Sequence, residues 1–281
     1  MSMQATIAET VKSAARELDA HSESPRLDAE ILLSTMLGLP RSALIARAEE
    51  PLGPDQQQAY AELIRQRSGG TPVAYLTGRR EFWSLPLEVS PAVLIPRPET
   101  ESLLEQALGL LPRDEACAVL DLGTGSGALA LGLAHERPCW TITAVDLSAA
   151  ALEVARHNAQ ALQLSIQWRL GSWFDAVPGE RFHLIVANPP YIAAADPALK
   201  SLSAEPAMAL SPGPTGLEAL SAIIAQAPQH LHRQGWLALE HGSTQAPQVA
   251  QLLEQHGFGS IRTFPDYSGR PRVTLGVHTP H

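Results

Sequence analysis

Cysteine is nearly missing from the 281-residue sequence, which holds only Cys117 and Cys139, at a spacing that suits neither a metal cluster nor a disulfide framework. That pattern excludes a cross-linked secreted scaffold and points to a reducing compartment, with both thiols expected to be buried. An excess of positive charge is missing too. The formal net charge is -9, and nucleic-acid affinity rests largely on Lys and Arg displacing counterions, so a broad phosphate-binding surface and a direct nucleic-acid partner are not expected. No stretch is apolar for long enough to span a bilayer. The N-terminal segment mixes Glu9, Lys12, Arg16, Glu17 and Asp19 among its apolar residues, so it lacks a signal-peptide core. The expectation is a cytoplasmic protein with no membrane contact.

What is present is a globular composition. Hydrophobic residues make up 45% and charged residues 17%, a balance that supports a packed core and excludes general disorder. The length exceeds one ordinary domain, so a catalytic unit with a smaller companion is expected. Residues 6 to 67 read as short helices, with Ile7, Val11, Ala14, Ala15 and Leu18 at helical spacing and Leu27, Ile31 and Leu32 likewise. Ser24-Pro25 and Pro54-Asp55 supply starts, Gly38 and Gly69-Gly70 stops. From Pro72 to Val93 the pattern reads as a hairpin, with Gly78-Arg79-Arg80 at its turn, joining two domains. The domains are then 1–71, a helical unit; 72–95, a hairpin linker; and 96–281, an α/β unit opened by the helix after Pro98-Glu99-Thr100. Strands are predicted at Ala118 to Leu122, Thr141 to Val145, Ile166 to Leu170, His183 to Ala187 and Gly235 to Leu239, with a late pair around Phe258 and Val273. Their alternation with helices implies parallel strands covered on both faces.

Val119 to Leu122 runs into Gly123-Thr124-Gly125-Ser126-Gly127, and helical residues follow. Glycines let the backbone bend sharply and approach a ligand without Cβ obstruction, while the amides of a helix N-terminus receive a carboxylate. Asp146, at the end of the next strand, lies at the offset of about 20 residues expected of a carboxylate that binds ribose hydroxyls. A dinucleotide fingerprint places its third glycine after two intervening residues; Ala128 stands there, and the G-x-G-x-G spacing favours S-adenosylmethionine over NAD. Ser126 is no nucleophile elbow, because G-x-S-x-G needs glycine where Thr124 and Ala128 stand.

The apolar strand His183 to Ala187 delivers Asn188-Pro189-Pro190-Tyr191 at its C-terminal end, where open α/β sheets bind ligands. Two prolines fix φ twice and remove two donors, leaving rigid carbonyl acceptors beside the Asn188 side chain. Those acceptors match a planar NH2 group, held by Asn188 Oδ1 and the Pro189 carbonyl with its lone pair toward a sulfonium methyl, and Tyr191 can pack on it. An amide nitrogen is a poor nucleophile, so positioning and dipoles must supply much of the rate. No metal is required. An adenine exocyclic amine presents the same geometry and is the competing substrate, which would have to be flipped out of its stack.

With Pro72 to Gly78, Glu81-Phe82-Trp83, Leu94-Ile95-Pro96-Arg97-Pro98-Glu99-Thr100-Glu101, Asp121 to Gly127, Asn188 to Tyr191 and Arg272 to Gly276 together, the sequence resembles the release-factor glutamine methyltransferase family (PrmC/HemK) over nearly its whole length. The resemblance implies a class I S-adenosylmethionine-dependent methyltransferase fold, Rossmann-like with a mixed seven-stranded sheet, a small helical N-terminal domain that helps bind the substrate protein, a hairpin linker and a terminal antiparallel hairpin. It implies transfer of methyl from S-adenosyl-L-methionine to the side-chain N5 of the glutamine in the Gly-Gly-Gln loop of class-one peptide-chain release factors. It also implies that Gly123 to Gly127 contact the methionine part of the cofactor, Asp146 the ribose and Trp173 the adenine, with Asn188 near cofactor and substrate and with Arg97 and Glu99 at the substrate entrance. The residues alone leave Trp173 open between an adenine platform and a core tryptophan, and Arg97 and Glu99 between substrate contact and an interdomain ion pair. One departure from the family pattern is Ser201-Leu202-Ser203, which stands where an Asp-x-Arg-type pair usually precedes the Glu-Pro now found as Glu205-Pro206.

Overall fold

A computed structural model of the chain describes residues 5–279. It divides into two units, Met1–Arg79 and Arg80–His281. In the first, α1 (Ile7–Glu17) starts at a reciprocal cap in which Thr6 accepts from the Glu9 amide and the Glu9 carboxylate accepts from the Thr6 amide at 2.9 Å. Helices α2 (Pro25–Leu37), α3 (Arg41–Ala46), α4 (Pro54–Ser68) and α5 (Val73–Thr77) follow, and α2 stops at Gly38 with φ of 64°. Their apolar stripes meet in one core of Ile7, Val11, Leu18, Leu32, Leu33, Tyr60 and Ile64. Tyr60 keeps its hydroxyl satisfied there by donating to the Ala29 carbonyl at 2.9 Å. The expected Ser24 cap is not made: its hydroxyl donates to Asp28, which also accepts from Ser22 and pairs with Arg67 at 2.8 Å.

The hairpin differs from expectation at its turn. Gly78, with φ of 70°, ends α5, and strands β1 (Arg79–Phe82) and β2 (Leu85–Glu88) turn instead through Trp83 and Ser84 at φ of 52° and 60°. Neither residue favours the left-handed region, so nothing in the local sequence announces the turn. Side-chain anchors hold it: the Trp83 amide donates to Glu101 and its indole N–H to Glu136, each at 2.9 Å. Phe82, Leu85 and Leu87 face inward and join the main core.

In the second unit α6 (Pro98–Leu108), β3 (Ala118–Leu122), α7 (Ala128–Glu136), β4 (Thr141–Asp146), α8 (Ala149–Leu162), β5 (Gln167–Leu170), β6 (Phe182–Ala187), α9 (Glu218–Gln226), β7 (Leu231–Glu240), α10 (Ala246–Gln255), β8 (Phe258–Pro265) and β9 (Pro271–His278) build one seven-stranded sheet in the order β5-β4-β3-β6-β7-β9-β8. The first five of these are parallel, and β9 runs antiparallel to both β7 and β8. Period-two alternation splits the strand residues between two cores. Val119, Ile142, Leu184 and Val186 meet Leu103, Leu104, Leu129 and Leu133 on one face; Leu120, Leu122, Ile185 and Leu237 meet Leu220, Ile223, Val249 and Leu253 on the other. At about 1.5 to 3 kcal/mol for each large apolar side chain fully buried, these two layers are the main stabilising term of the unit. Of the two thiols only Cys117, at the entry to β3, is buried; Cys139 is exposed, because it falls in the turn between α7 and β4. Among the described residues no helix is long and apolar enough to cross a membrane.

Candidate active site

The strand order reverses direction between β3 and β6, so a crevice opens beyond their C-terminal ends. Into it run the glycine turn after β3, Asp146 at the end of β4 and Asn188 after β6. Gly123, Gly125 and Gly127 have φ of 74°, 56° and 85°, values a residue with a Cβ adopts at a cost. The turn is also pinned. Amides of Gly123 and Thr124 donate to the Val145 carbonyl, Thr124 donates its hydroxyl to Asp121 at 2.6 Å, and Asp146 accepts the Gly125 amide at 2.8 Å and the Ser148 amide at 2.8 Å. Asn158 of α8 binds the Ser126 carbonyl at 3.0 Å and both backbone groups of Glu88, so the hairpin and the turn share one anchor. Asp121 is fully buried, and burial pushes its carboxyl up to about 7.

A cleft is lined by Gly123, Gly125, Val145, Asp146, Leu147, Trp173, Asn188, Pro190 and Met208. Trp173 is half-buried; its ring atom Cζ3 would lie 3.3 Å from a Cβ on Gly123, so the indole packs on the glycine turn, and the residue lines the cleft. Thr124 and Ser126 are buried and, with Gly127, build the turn without lining the cleft. An acidic strand end beside a glycine turn, with mostly apolar walls, fits a nucleoside with a charged amino-acid tail.

A second cavity adjoins the first, sharing Leu94, Asn188, Pro190 and Ala209, and is otherwise lined by Arg97, Pro189, Tyr191, Ile192, Leu202 and Leu210. Asn188 thus stands between the two. Its Nδ2 donates to Thr100 Oγ1 at 3.0 Å, leaving Oδ1 free to accept. The Pro189 carbonyl accepts no hydrogen bond from any described residue. Tyr191 donates its hydroxyl to Glu240 at 3.1 Å, and burial raises its pKa. Its own carbonyl takes a Gln245 side-chain N–H at 3.1 Å and lies against Gly216, where a Cβ would come within 2.4 Å of it. Arg97 lines the second cavity yet is ion-paired with the buried Glu205, which also accepts the Ile95 amide at 3.1 Å. Glu99, in the first turn of α6, lines neither cavity. Sequence reasoning assigned no role to Thr100, Glu205 or Glu240; the only signal for Glu240 is an acid ending an apolar strand, as Asp146 does.

Fold and crevice define a class I S-adenosylmethionine-dependent methyltransferase. Comparison with known proteins narrows this: models of the PrmC N-terminal domain and of the methyltransferase small domain match residues 9–78 and 100–213. The chain is similar to the release factor glutamine methyltransferases of Yersinia pestis, at 50% identity over 91% of this chain and 93% of that one, and of Salmonella typhimurium, at 48% over 92% and 94%. A methyltransferase structure from Pyrococcus furiosus shares the fold at a TM-score of 0.55 and 18% identity, covering 70% of this chain and 91% of that one. The chain belongs to the release factor glutamine methyltransferase family.

Proposed function

We propose that the chain transfers a methyl group to the side-chain N5 of the glutamine in the Gly-Gly-Gln motif of class-one peptide-chain release factors, with Asn188 Oδ1 and the Pro189 carbonyl gripping the amide NH2. The observation that supports this reading is the Asn188–Thr100 hydrogen bond, which occupies Nδ2 and leaves Oδ1 without a hydrogen-bond partner among the described residues, on a side chain that borders both cavities. The relatives' names supply the substrate. When bound in the first cleft, S-adenosylmethionine supplies a methyl activated by its sulfonium charge. Gly123 and Gly125, in a turn built by Thr124, Ser126 and Gly127, then border its amino-acid end, Asp146 its ribose and Trp173 its adenine, with one carboxylate lone pair left on each Asp146 oxygen for a hydroxyl.

Two acceptors spaced across a rigid Pro-Pro corner fix both N–H bonds in one plane, which directs the nitrogen lone pair toward the cofactor cleft. Partial charges on Oδ1 and the carbonyl stabilise the positive charge that grows on nitrogen during transfer. Tyr191 closes the side of the amide plane. Arg97, held by Glu205, and Glu99 at the head of α6 form the entrance, and the helical unit contributes to binding the release factor. That substrate works on the ribosome, so the reading carries the cytoplasm as its compartment.

Incubation with methyl-labelled cofactor and either release factor or structured RNA tests the assignment. Label confined to the release factor, lost when its loop glutamine is replaced, is the expected result; label confined to RNA would establish the adenine-amine reading instead.

A further inference from the structure

Between Tyr191 and α9 the chain forms no long element, only the short 3-10 turns Pro197–Lys200 and Ala207–Ala209. Of residues 193–211 only Glu205 and Leu210 are buried, and neither core of the second unit includes any of them. Apolar packing therefore holds this segment weakly. Yet it walls both cavities: Pro206 and Met208 line the cofactor cleft, Leu202 and Leu210 the second cavity, and Ala209 both.

What anchors the segment is one carboxylate. Among the described residues, the hydrogen bonds from 193–211 that reach beyond 192–213 all come from the Glu205 side chain, which is 2% exposed. Its Oε2 accepts the Ile95 amide at 3.1 Å and its Oε1 pairs with Arg97. The receiving segment Ile95-Pro96-Arg97-Pro98 is stiff, because two prolines fix φ and Arg97 is extended at φ of -99° and ψ of 143°. Leu94, just ahead of it, lines both cavities too. Resting on the reading that the second cavity takes the glutamine side chain, we propose that Glu205 is a positioning residue which clamps residues 202–210 to the Ile95 to Arg97 segment. The clamp fixes a wall common to both cavities, and Arg97 serves methyl transfer through it rather than by touching substrate.

Burying a carboxylate is costly unless it is paired and hydrogen-bonded. Here a guanidinium and a backbone amide take one oxygen each. Loss of Arg97 leaves the carboxylate without its counter-charge, which draws Glu205 toward water and the segment with it. Loss of Glu205 removes both bonds and leaves Arg97, 32% exposed, to be solvated. Either change ends in the same released wall, whereas an Arg97 that gripped substrate would add a loss of its own.

The test is limited trypsin digestion of the full-length chain, read at Lys200, which is exposed and lies in the same segment as Glu205. Glu205→Ala and Arg97→Ala should each be cut there roughly 10- to 100-fold faster than the wild type, the loss expected for a charge-assisted hydrogen bond. Cutting after Arg113, exposed in the turn ahead of β3, should not change. Calorimetry should show cofactor affinity falling ~10-fold, and the KM for a release factor should rise ~10-fold with kcat nearly unchanged, because Asn188 keeps its bond to Thr100. Combining Arg97→Ala with Glu205→Ala should add nothing to Glu205→Ala alone. A further rise in KM of ~10-fold in the double variant gives Arg97 a substrate contact of its own and overturns the proposal, as does wild-type resistance at Lys200 in Glu205→Ala. If Glu205→Ala unfolds, shown by faster cutting after Arg113 as well, Arg97→Lys decides: with a charge kept beside Glu205 it should resist trypsin far better than Arg97→Ala, and equal cutting of the two overturns the proposal. Methyl transfer to RNA would refute the substrate reading alone, since the trypsin and calorimetry measurements involve no substrate.

Discussion

Asp146 Oδ2 accepts the Gly125 amide at 2.8 Å, joining the acid at the end of β4 to the middle of the glycine turn. One carboxylate therefore shapes the turn and faces the cleft it borders. Asp146→Ala removes two amide contacts along with any ribose contact. Hydrogen bonds to charged groups are worth about 1.5 to 3 kcal/mol, so calorimetry should show cofactor affinity falling roughly 10- to 100-fold; an unchanged dissociation constant would remove Asp146 from the cofactor site.

Asn158 predicts a stability effect outside either cavity. Its amide satisfies three backbone groups, the Glu88 amide and carbonyl and the Ser126 carbonyl. Asn158→Ala should destabilise the second unit by about 2 to 3 kcal/mol in a denaturant titration, and a bound cofactor should partly restore it by mass action. A loss below about 0.5 kcal/mol, the scale of an ordinary surface change, would contradict this.

Gly216 has φ of 80° and leaves no room beside the Tyr191 carbonyl. Gly216→Ala should push the Asn-Pro-Pro-Tyr corner out of place, lowering kcat about 10- to 100-fold, since a small misplacement of a positioning group costs that much. Cofactor affinity should hold, because the glycine turn lies on other strands. Equal loss of kcat and cofactor affinity would show that the change spreads beyond the corner.

The buried carboxyls fix the sign of a pH effect on stability. Asp121 and Glu240 are both raised to about 7 in the folded chain, from ordinary values of 3.8 and 4.5. The folded state therefore binds these protons more tightly, and their contribution to stability, full below about pH 4, is lost as pH rises to about 7. Asp121→Asn should flatten part of that decline in the cofactor-free protein; an undiminished decline would assign it to other groups.

Elements whose residues carry their own geometry could be read before any coordinates. The Gly123 to Gly127 turn needs left-handed backbone and says so in its composition, and β3 needs only its apolar run. Trp83-Ser84 could not be read, because the hairpin turn there is imposed by Glu101 and Glu136 from distant helices. For the same reason Thr100 and Glu240 escaped notice: their importance lies in meeting Asn188 and Tyr191 across α6, β6 and β7, and no local pattern encodes that meeting. Arg97 was placed at an entrance from the family resemblance, while its bond to Glu205 across the chain became visible only in three dimensions.

Asn188 is the acceptor proposed to hold the NH2 group. Its most direct test is single-turnover transfer to a release factor by Asn188→Ala, with cofactor affinity measured on the same sample. Loss of one preorganised contact to the reacting group predicts a rate about 10²- to 10³-fold lower, with cofactor binding nearly unchanged and the remaining product still a single methyl on the loop glutamine. Turnover at the wild-type rate would contradict the account.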